Sequence, residues 1–295
     1  MEFSPYHKKE SKSTMSDVKE RTHTYNAEAT VLSGHLQLPL AQKIEPQAHS
    51  KLAEAGGYFN QRSDGYRLES VVSFSSAYSH VSGNRSLKPG EGWHTLTTTV
   101  VEGLNVMEVL TADRVVGQMI THHPLEGYVP SISFLGTHFE NLRINGNPVE
   151  LDFDPEIFGP KPANDAAYTR DAGFLSRVSS QYDRIRKHQD LPAELQERYN
   201  RLSSTLGASE AVECSLVNQA DGGYPGKSFG HVITIPGFGT ITLGKLTVKH
   251  EDPHEQTKVY KKTTVTLTMV DLKLGCIIEG DIPVGTGSTN GSSQP

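Results

Sequence analysis

The sequence predicts an all-β fold, a sandwich-like antiparallel domain interrupted by two helices, and three observations carry that expectation. Apolar residues recur at every second position over most of the chain, the alternation of a strand with one buried face. Asn145-Gly146 sits between two such runs in NLRINGNPVELDF, and both residues tolerate the positive φ of a two-residue hairpin turn. One block, residues 171–207, changes to helical spacing. Runs of strands without regularly interspersed helices exclude a doubly wound α/β sheet.

Taken in order, residues 1–25 mix charges with Ser and Thr and show no apolar period, so a disordered tail is expected, with Met15 a candidate native start. A single β domain is expected over 26–285. In AEATVLSGHLQLPL, Ala27, Ala29 and Val31 share one face and, after Gly34, so do Leu36, Leu38 and Leu40. YRLESVVSFSSAY and HTLTTTVVEGLNVMEVL alternate in the same way. TTVTLTMVDLKLGCIIEGDI, rich in Thr, Val, Leu and Ile, is one long strand or two broken near Gly275. The end, from residue 286, is mostly Gly, Ser and Thr and is expected to be a second tail.

The helical block places Phe174, Val178, Tyr182 and Ile185 on one stripe, then Leu191, Leu195, Tyr199, Leu202 and Leu206 on another. Asp190-Leu191-Pro192 reads as an N-cap with proline in the first turn, and Gly207 as the stop. The other faces carry Arg177, Arg184, Arg186, Lys187, His188, Arg198 and Arg201. Such a surface is either a solvated helix face or a docking site for an anionic partner, for which Arg184, Arg186, Lys187 and Arg198 are the candidates.

Composition narrows the function classes. A formal net charge of -6 disfavours a sequence-independent grip on a nucleic-acid backbone. No run approaches the roughly 18 apolar residues of a spanning helix, and no apolar stretch follows the N-terminal charges as in a signal peptide. Cys214 and Cys276 are too few for a disulfide framework and lack zinc-site spacing; a bridge between the two stays open. No cofactor is predicted.

Four groupings bear on chemistry. Gly239 to Lys245 fits G-x-x-x-x-G-K, but Leu246 stands where a Mg²⁺-binding Ser or Thr belongs, and strand-like residues follow instead of a phosphate-binding helix. HEDPHE offers His250, Asp252 and His254 as metal ligands, and THHP adds His122 and His123; the alternative for HEDPHE is a solvated turn. Asp152, Asp154 and Glu156 lie at a strand end, suited to calcium or a glycosidase pair, or forming a solvent face opposite Leu151 and Phe153. Trp93, the only tryptophan, beside His94, reads either as a ring-stacking ligand residue or as a lid on the core, and Tyr58 and Tyr66 flank a second candidate ligand loop.

Three stretches together resemble the choice-of-anchor P family of bacterial β proteins over roughly residues 100–285. They are VVEGLNVMEVLTADRVVGQM, with Leu104, Thr111, Ala112 and Asp113; SISFLGTHFENLRINGNPVEL, with Phe139, Leu142, Asn145, Gly146 and Val149; and ITIPGFGTITLGKLTV, with Pro236, Gly237, Gly239 and Gly244. The resemblance implies an all-β, secreted or surface-displayed domain with no assigned catalytic activity. The helical hairpin and the absence of a signal peptide in this chain depart from that pattern, so localisation stays open.

The leading functional expectation is a non-enzymatic structural or interaction domain that binds protein partners or itself. A carbohydrate-binding or carbohydrate-active protein using Trp93 and the Tyr58–Tyr66 segment is the alternative. A metal-dependent hydrolase would require His122, His123, His250 and His254 to converge.

Overall fold

The computed structural model describes residues 21–39, 41–88, 90–252, 261–275 and 278–294. Its strands, in chain order, are β1 Thr22–Thr24, β2 Ala27–Leu38, β3 Gln42–Lys51, β4 Gly57–Leu68, β5 Val72–Arg85, β6 Trp93–Val106 and β7 Leu110–His123. The short strands β8 Ser131–Ser133, β9 His138–Glu140, β10 Arg143–Ile144, β11 Asn147–Pro148 and β12 Glu150–Phe153 follow. Helices α1 Ala172–Arg186 and α2 Ala193–Thr205 then precede β13 Ala211–Ser215, β14 Val217–Asp221, β15 Lys227–Phe229, β16 Val232–Ile235, β17 Gly239–Glu251, β18 Lys262–Gly275, β19 Glu279–Thr289 and β20 Ser292–Gln294.

Two eight-stranded antiparallel sheets make the sandwich. One runs β11-β10-β7-β6-β5-β4, with β8 and β9 also on β7; the other runs β15-β16-β17-β18-β19-β2-β3, with β13 on β17. Two small sheets, β1-β20 and β12-β14, complete it. The expected all-β architecture with a helical pair is therefore the observed one. Asn145 and Gly146 take φ of 48° and 78° between Ile144 and Asn147, the hairpin turn expected of that dipeptide. The last long run is indeed two strands, β18 and β19, parting after Gly275.

Each large sheet is crossed by a row of residues at which the parity of the buried positions changes. In β17 the buried Ile241 and Leu243 give way to Leu246 and Val248. The pairs Leu243↔Val270 and Lys245↔Thr268 keep one register, so no residue is inserted, and Gly244, expected as a bulge or a packing point, is a packing point. The registers align Gly244, Met269, Gly285 and Val31 across four strands. Gly65, Ser75, Gly103 and Asp113 align likewise in the other sheet. All four glycines have positive φ, 57°, 66°, 73° and 62° for Gly244, Gly285, Gly65 and Gly103, which side chains with a Cβ resist. Glycine kinks of this type bend a sheet.

Helix α1 starts where the Asp171 carboxylate accepts the Phe174 N–H at 2.8 Å. It buries Phe174, Val178, Tyr182 and Ile185, as the spacing predicts. Its Gln181 amide donates to Ser215 O (2.8 Å) and accepts from Ser215 N (3.1 Å), while the Tyr182 hydroxyl donates to Glu213 O. The helix thereby satisfies the backbone of β13. At α2 the expected cap is corrected: Pro192, with φ -53° and ψ 140°, is itself the N-cap residue, and Asp190 instead accepts Lys227 Nζ at 2.6 Å. Gly207 follows with φ 80° as expected.

Three further expectations change. Leu36 is buried but Leu38 is 45% exposed, and Leu40 lies outside the described residues. The C-terminal stretch expected to be a tail continues β19 to Thr289 and forms β20, paired with β1. Its glycines are packing devices, since a Cβ at Gly287 would lie 2.9 Å from Thr97 Oγ1 of the facing sheet. Thr22–Thr24 and the buried Tyr25, expected in the N-terminal tail, are likewise part of the fold; residues 1–20 lie outside the description.

The kink rows make a direct prediction. Gly103→Ala and Gly244→Ala each cost about 1–3 kcal/mol, because a Cβ must occupy a left-handed backbone and at Gly103 would lie 2.8 Å from Ser75 Oγ. Gly223→Ala, with nothing within 4 Å, is the control. Urea unfolding checks this, and equal midpoints for all three variants would refute the role of the rows.

Candidate functional site

Strand β4 closes the first sheet on one side, and among the described residues no strand pairs with its outer edge. It is 12 residues long and exposed over nearly its whole length on both faces. Tyr58 is 77% and Phe59 44% exposed, and Tyr78 on the neighbouring β5 stacks with His80 at 6.5 Å. Arg62 Nε donates to Asp64 Oδ1 at 2.5 Å along the same face. The segment expected to be a ligand loop is thus a strand. Tyr66 lies at its other end, half-buried and stacked on Phe74 at 5.5 Å, so Tyr58 and Tyr66 do not share one surface feature.

The edges at β3 and β13 are guarded. β3 carries Lys43, Pro46 and Lys51 and an irregular register against β2, features that discourage further pairing. β13 is covered by Gln181 and Tyr182 of α1. β4 contains neither lysine nor proline.

Trp93 belongs to the core, at 4% exposure. Its ring stacks on His23 at 5.0 Å and 11°, within a small cluster of Tyr25, Ala27, Ala29, Leu52 and Val81. A sugar ring therefore does not reach it, and the expectation of Trp93 as a stacking residue is corrected. Adjacent strand residues point to opposite faces. His94 accordingly lies on the outer face, stacked on His122 at 4.4 Å and 3.6 Å from Glu91, whereas His123 pairs across from Trp93 on the inner face.

The metal candidates do not converge in the described part. His250 is buried on β17, with Nδ1 3.3 Å from Thr263 Oγ1 and Nε2 3.3 Å from Asp252 Oδ1; His254 lies outside the described residues. His122 and His123 sit on β7, in the other sheet. Among the described residues no three His, Cys, Asp or Glu side chains are grouped to hold a metal ion. Asp152 faces Arg184 at 3.6 Å, and Asp154 accepts the Glu156 N–H at 3.0 Å.

Most of the basic helix residues have internal partners. Arg186 reaches Asn200 (2.9 Å), Asp183 and Ser203 (both 3.2 Å). Arg198 pairs with Glu213 and lies over the Tyr199 ring. Arg177 donates to the Ile157 and Phe158 carbonyls, both at 2.6 Å. Lys187 is exposed at the end of α1. Guanidinium groups held by bonds inside the domain tie the helices to the sheets, and the even basic face drawn from the sequence is mostly a set of internal contacts.

The string resembling a phosphate loop is strand, as expected. Phe238 N–H donates to Ile235 O at 3.1 Å across Pro236 and Gly237, and Gly237 has φ 75°, a type II turn. Lys245 Nζ is 2.7 Å from Asp271. Burial pushes the Cys214 thiol up, away from the reactive thiolate; Cys276 lies outside the described residues. A shallow 410 Å³ groove is lined by His138, Phe139, Asn141, Leu142, Val149 and Phe153. Among the described residues no helix is long and apolar enough to cross a membrane.

Sequence reading missed the half-buried His23 and the buried His231. His23 fell in the expected tail, although THTY alternates. His231 sits inside the core, where Tyr199 OH lies 2.9 Å from Nε2 and burial pushes its pKa down to about 3. The unfolded chain takes up a proton near the ordinary 6.5 while the folded one resists until about 3, so stability is complete above that range and falls as pH drops through it. Between about pH 6.5 and 5, His231 should cost about 1.4 kcal/mol per pH unit. His231→Gln should flatten the pH slope of the urea midpoint in that window, and an unchanged slope would refute the assignment.

No curated protein and no solved structure matches the chain. Residues 23–249 match a protein family described as a domain of unknown function, DUF8256. That match covers the first sheet with its kink row, the helical pair and the open β4 edge, and ends within β17 of the second sheet; the chain belongs to this family.

Proposed function

We propose that the chain is a non-enzymatic interaction domain that assembles with further copies of itself by strand addition along β4. The observation that carries this reading is the contrast between edges: β3 and β13 are guarded, whereas β4 offers 12 residues of strand with Tyr58 and Phe59 exposed beside it. An unguarded edge is a template for pairing. Main-chain hydrogen bonds then supply affinity and alternate side chains supply specificity.

Charge selects a second copy as the occupant. Arg62 and Asp64 flank Ser63. When two β4 strands pair antiparallel about Ser63, the Arg62 of each copy stands opposite the Asp64 of the other, a favourable cross-strand arrangement. A displayed, structural role is what a relationship to choice-of-anchor P proteins, read from the sequence motifs from Val100 onward, would imply. The carbohydrate reading retains exposed Tyr58 but has lost Trp93 to the core.

Sedimentation velocity over a wide concentration range tests the proposal. The unmodified chain should associate reversibly, and Tyr58→Lys with Phe59→Lys should leave a monomer with unaltered thermal unfolding. Arg62→Asp alone and Asp64→Arg alone should each weaken association roughly tenfold, and mixing the two variants should restore it. A chain that stays monomeric at every concentration, or one whose association ignores all four substitutions, sinks the proposal.

A further inference from the structure

We propose that β1 and β20 form a proton-operated strap, closed over the Trp93 end of the sandwich while His23 is neutral and released when His23 takes up a proton. The two strands pair as Thr22↔Gln294, His23↔Ser293 and Thr24↔Ser292, and with no other strand among the described residues. An isolated two-stranded sheet is marginal in water, so side chains must hold it. Arg21 donates to Leu125 O (2.7 Å) and Gly127 O (2.9 Å) and covers the Tyr128 ring at 4.5 Å. His23 enters an aromatic slot, stacked on Trp93 (5.0 Å), edge-on to Tyr25 (4.6 Å) and 4.7 Å from His123.

The slot suits a neutral imidazole. Nδ1 lies 3.0 Å from Ser293 Oγ. Nε2 is buried without a hydrogen-bond partner and lies over Gly291, where a Cβ would come within 2.8 Å of it. As a bare lone pair this nitrogen already forgoes one hydrogen bond; as an N–H donor it would be buried with no acceptor, beside a new positive charge, at greater cost. Cation–π attraction to Trp93 offsets part of that cost. Burial nonetheless holds His23 at about 4, against an ordinary 6.5.

The surrounding groups offer no relief. The ionisable side chains around the slot are His123 on β7, Tyr25 on the strap's own chain and Arg85, which acts on Tyr25 from β5. Arg21 sits on the strap itself, and His122 and Lys161 act on His123. At acid pH all of these are neutral or positive. Among the described residues no carboxylate pairs with either imidazole. In the unfolded or released strap His23 binds a proton near its ordinary value, so closure is complete above that value and is lost as pH falls towards about 4.

Trp93 is the chain's only tryptophan, so its emission reports the slot directly. Emission and amide exchange of Thr22–Thr24 should be followed from about pH 8 to about pH 3.5. We expect a reversible red shift, with strap amides exchanging at least roughly tenfold faster, after correction for intrinsic pH dependence, while β6 amides stay protected. His23→Gln, which keeps a partner for Ser293 but does not titrate, should hold emission flat across the window. An oxidised Thr24→Cys, Ser292→Cys pair should suppress the transition, and reduction should return it. A transition that persists unchanged in His23→Gln or in the stapled protein overturns the proposal, as does an unmodified chain silent across the whole range.

Discussion

The two sheets approach closely where Thr97, Thr99 and Gly117 of one face Met269, Gly285 and Gly287 of the other, and the rest of the architecture depends on that approach. A Cβ at Gly117 would lie 2.8 Å from both Met269 Cγ and Thr99 Oγ1. Large side chains therefore have no room, and the mid-layer is built from small ones: Ser50, Ser79, Thr95, Thr97, Thr99 and Thr121 are all buried, with the Ser50 and Ser79 hydroxyls 2.7 Å apart across the interface. Close packing keeps this region sensitive to a single added carbon. Strands of up to 14 residues then need a bend to keep one buried face along their whole length, and the rows through Gly103 and Gly244 supply it.

A bent sandwich leaves edges and an open end, and the chain treats each differently. The helical hairpin is inserted where β13 would otherwise present free backbone, and Gln181 takes both the N–H and the C=O of Ser215. The arginines of the helices are turned to the same internal purpose. β3 is protected by its own proline, lysines and irregular register. β4 has no such device, and the proposed self-association rests on that contrast. The open end is closed by strands at both extremes of the described chain, through one imidazole in an aromatic slot.

Local chemistry was legible wherever it dominates. Asn145-Gly146 specifies its turn through backbone sterics alone, the Phe174–Ile185 stripe specifies α1 through its period, and Pro236-Gly237 marks a turn that converts a phosphate-loop string into strand. Legibility failed where one residue serves two competing descriptions. Gly287 reads as tail because glycine is abundant in flexible tails, yet it lies in a strand and admits Thr97 of the facing sheet. Asp190 has the chemistry of an N-cap, but Lys227, distant in sequence, claims its carboxylate. Trp93 and His94 are neighbours in the chain and lie on opposite faces of the sheet.

By itself, then, the sequence determined the fold class, the hairpin, the helical pair and the strand character of the glycine-rich string, because period, propensity and turn sterics act over a few residues. Only the tertiary structure decided which glycines are kinks, which edge is left open, that Trp93 is core and that His23 reaches it from a segment resembling a tail. Those outcomes depend on which distant segments come into contact, and alternation along a strand says that one face is buried without saying what covers it.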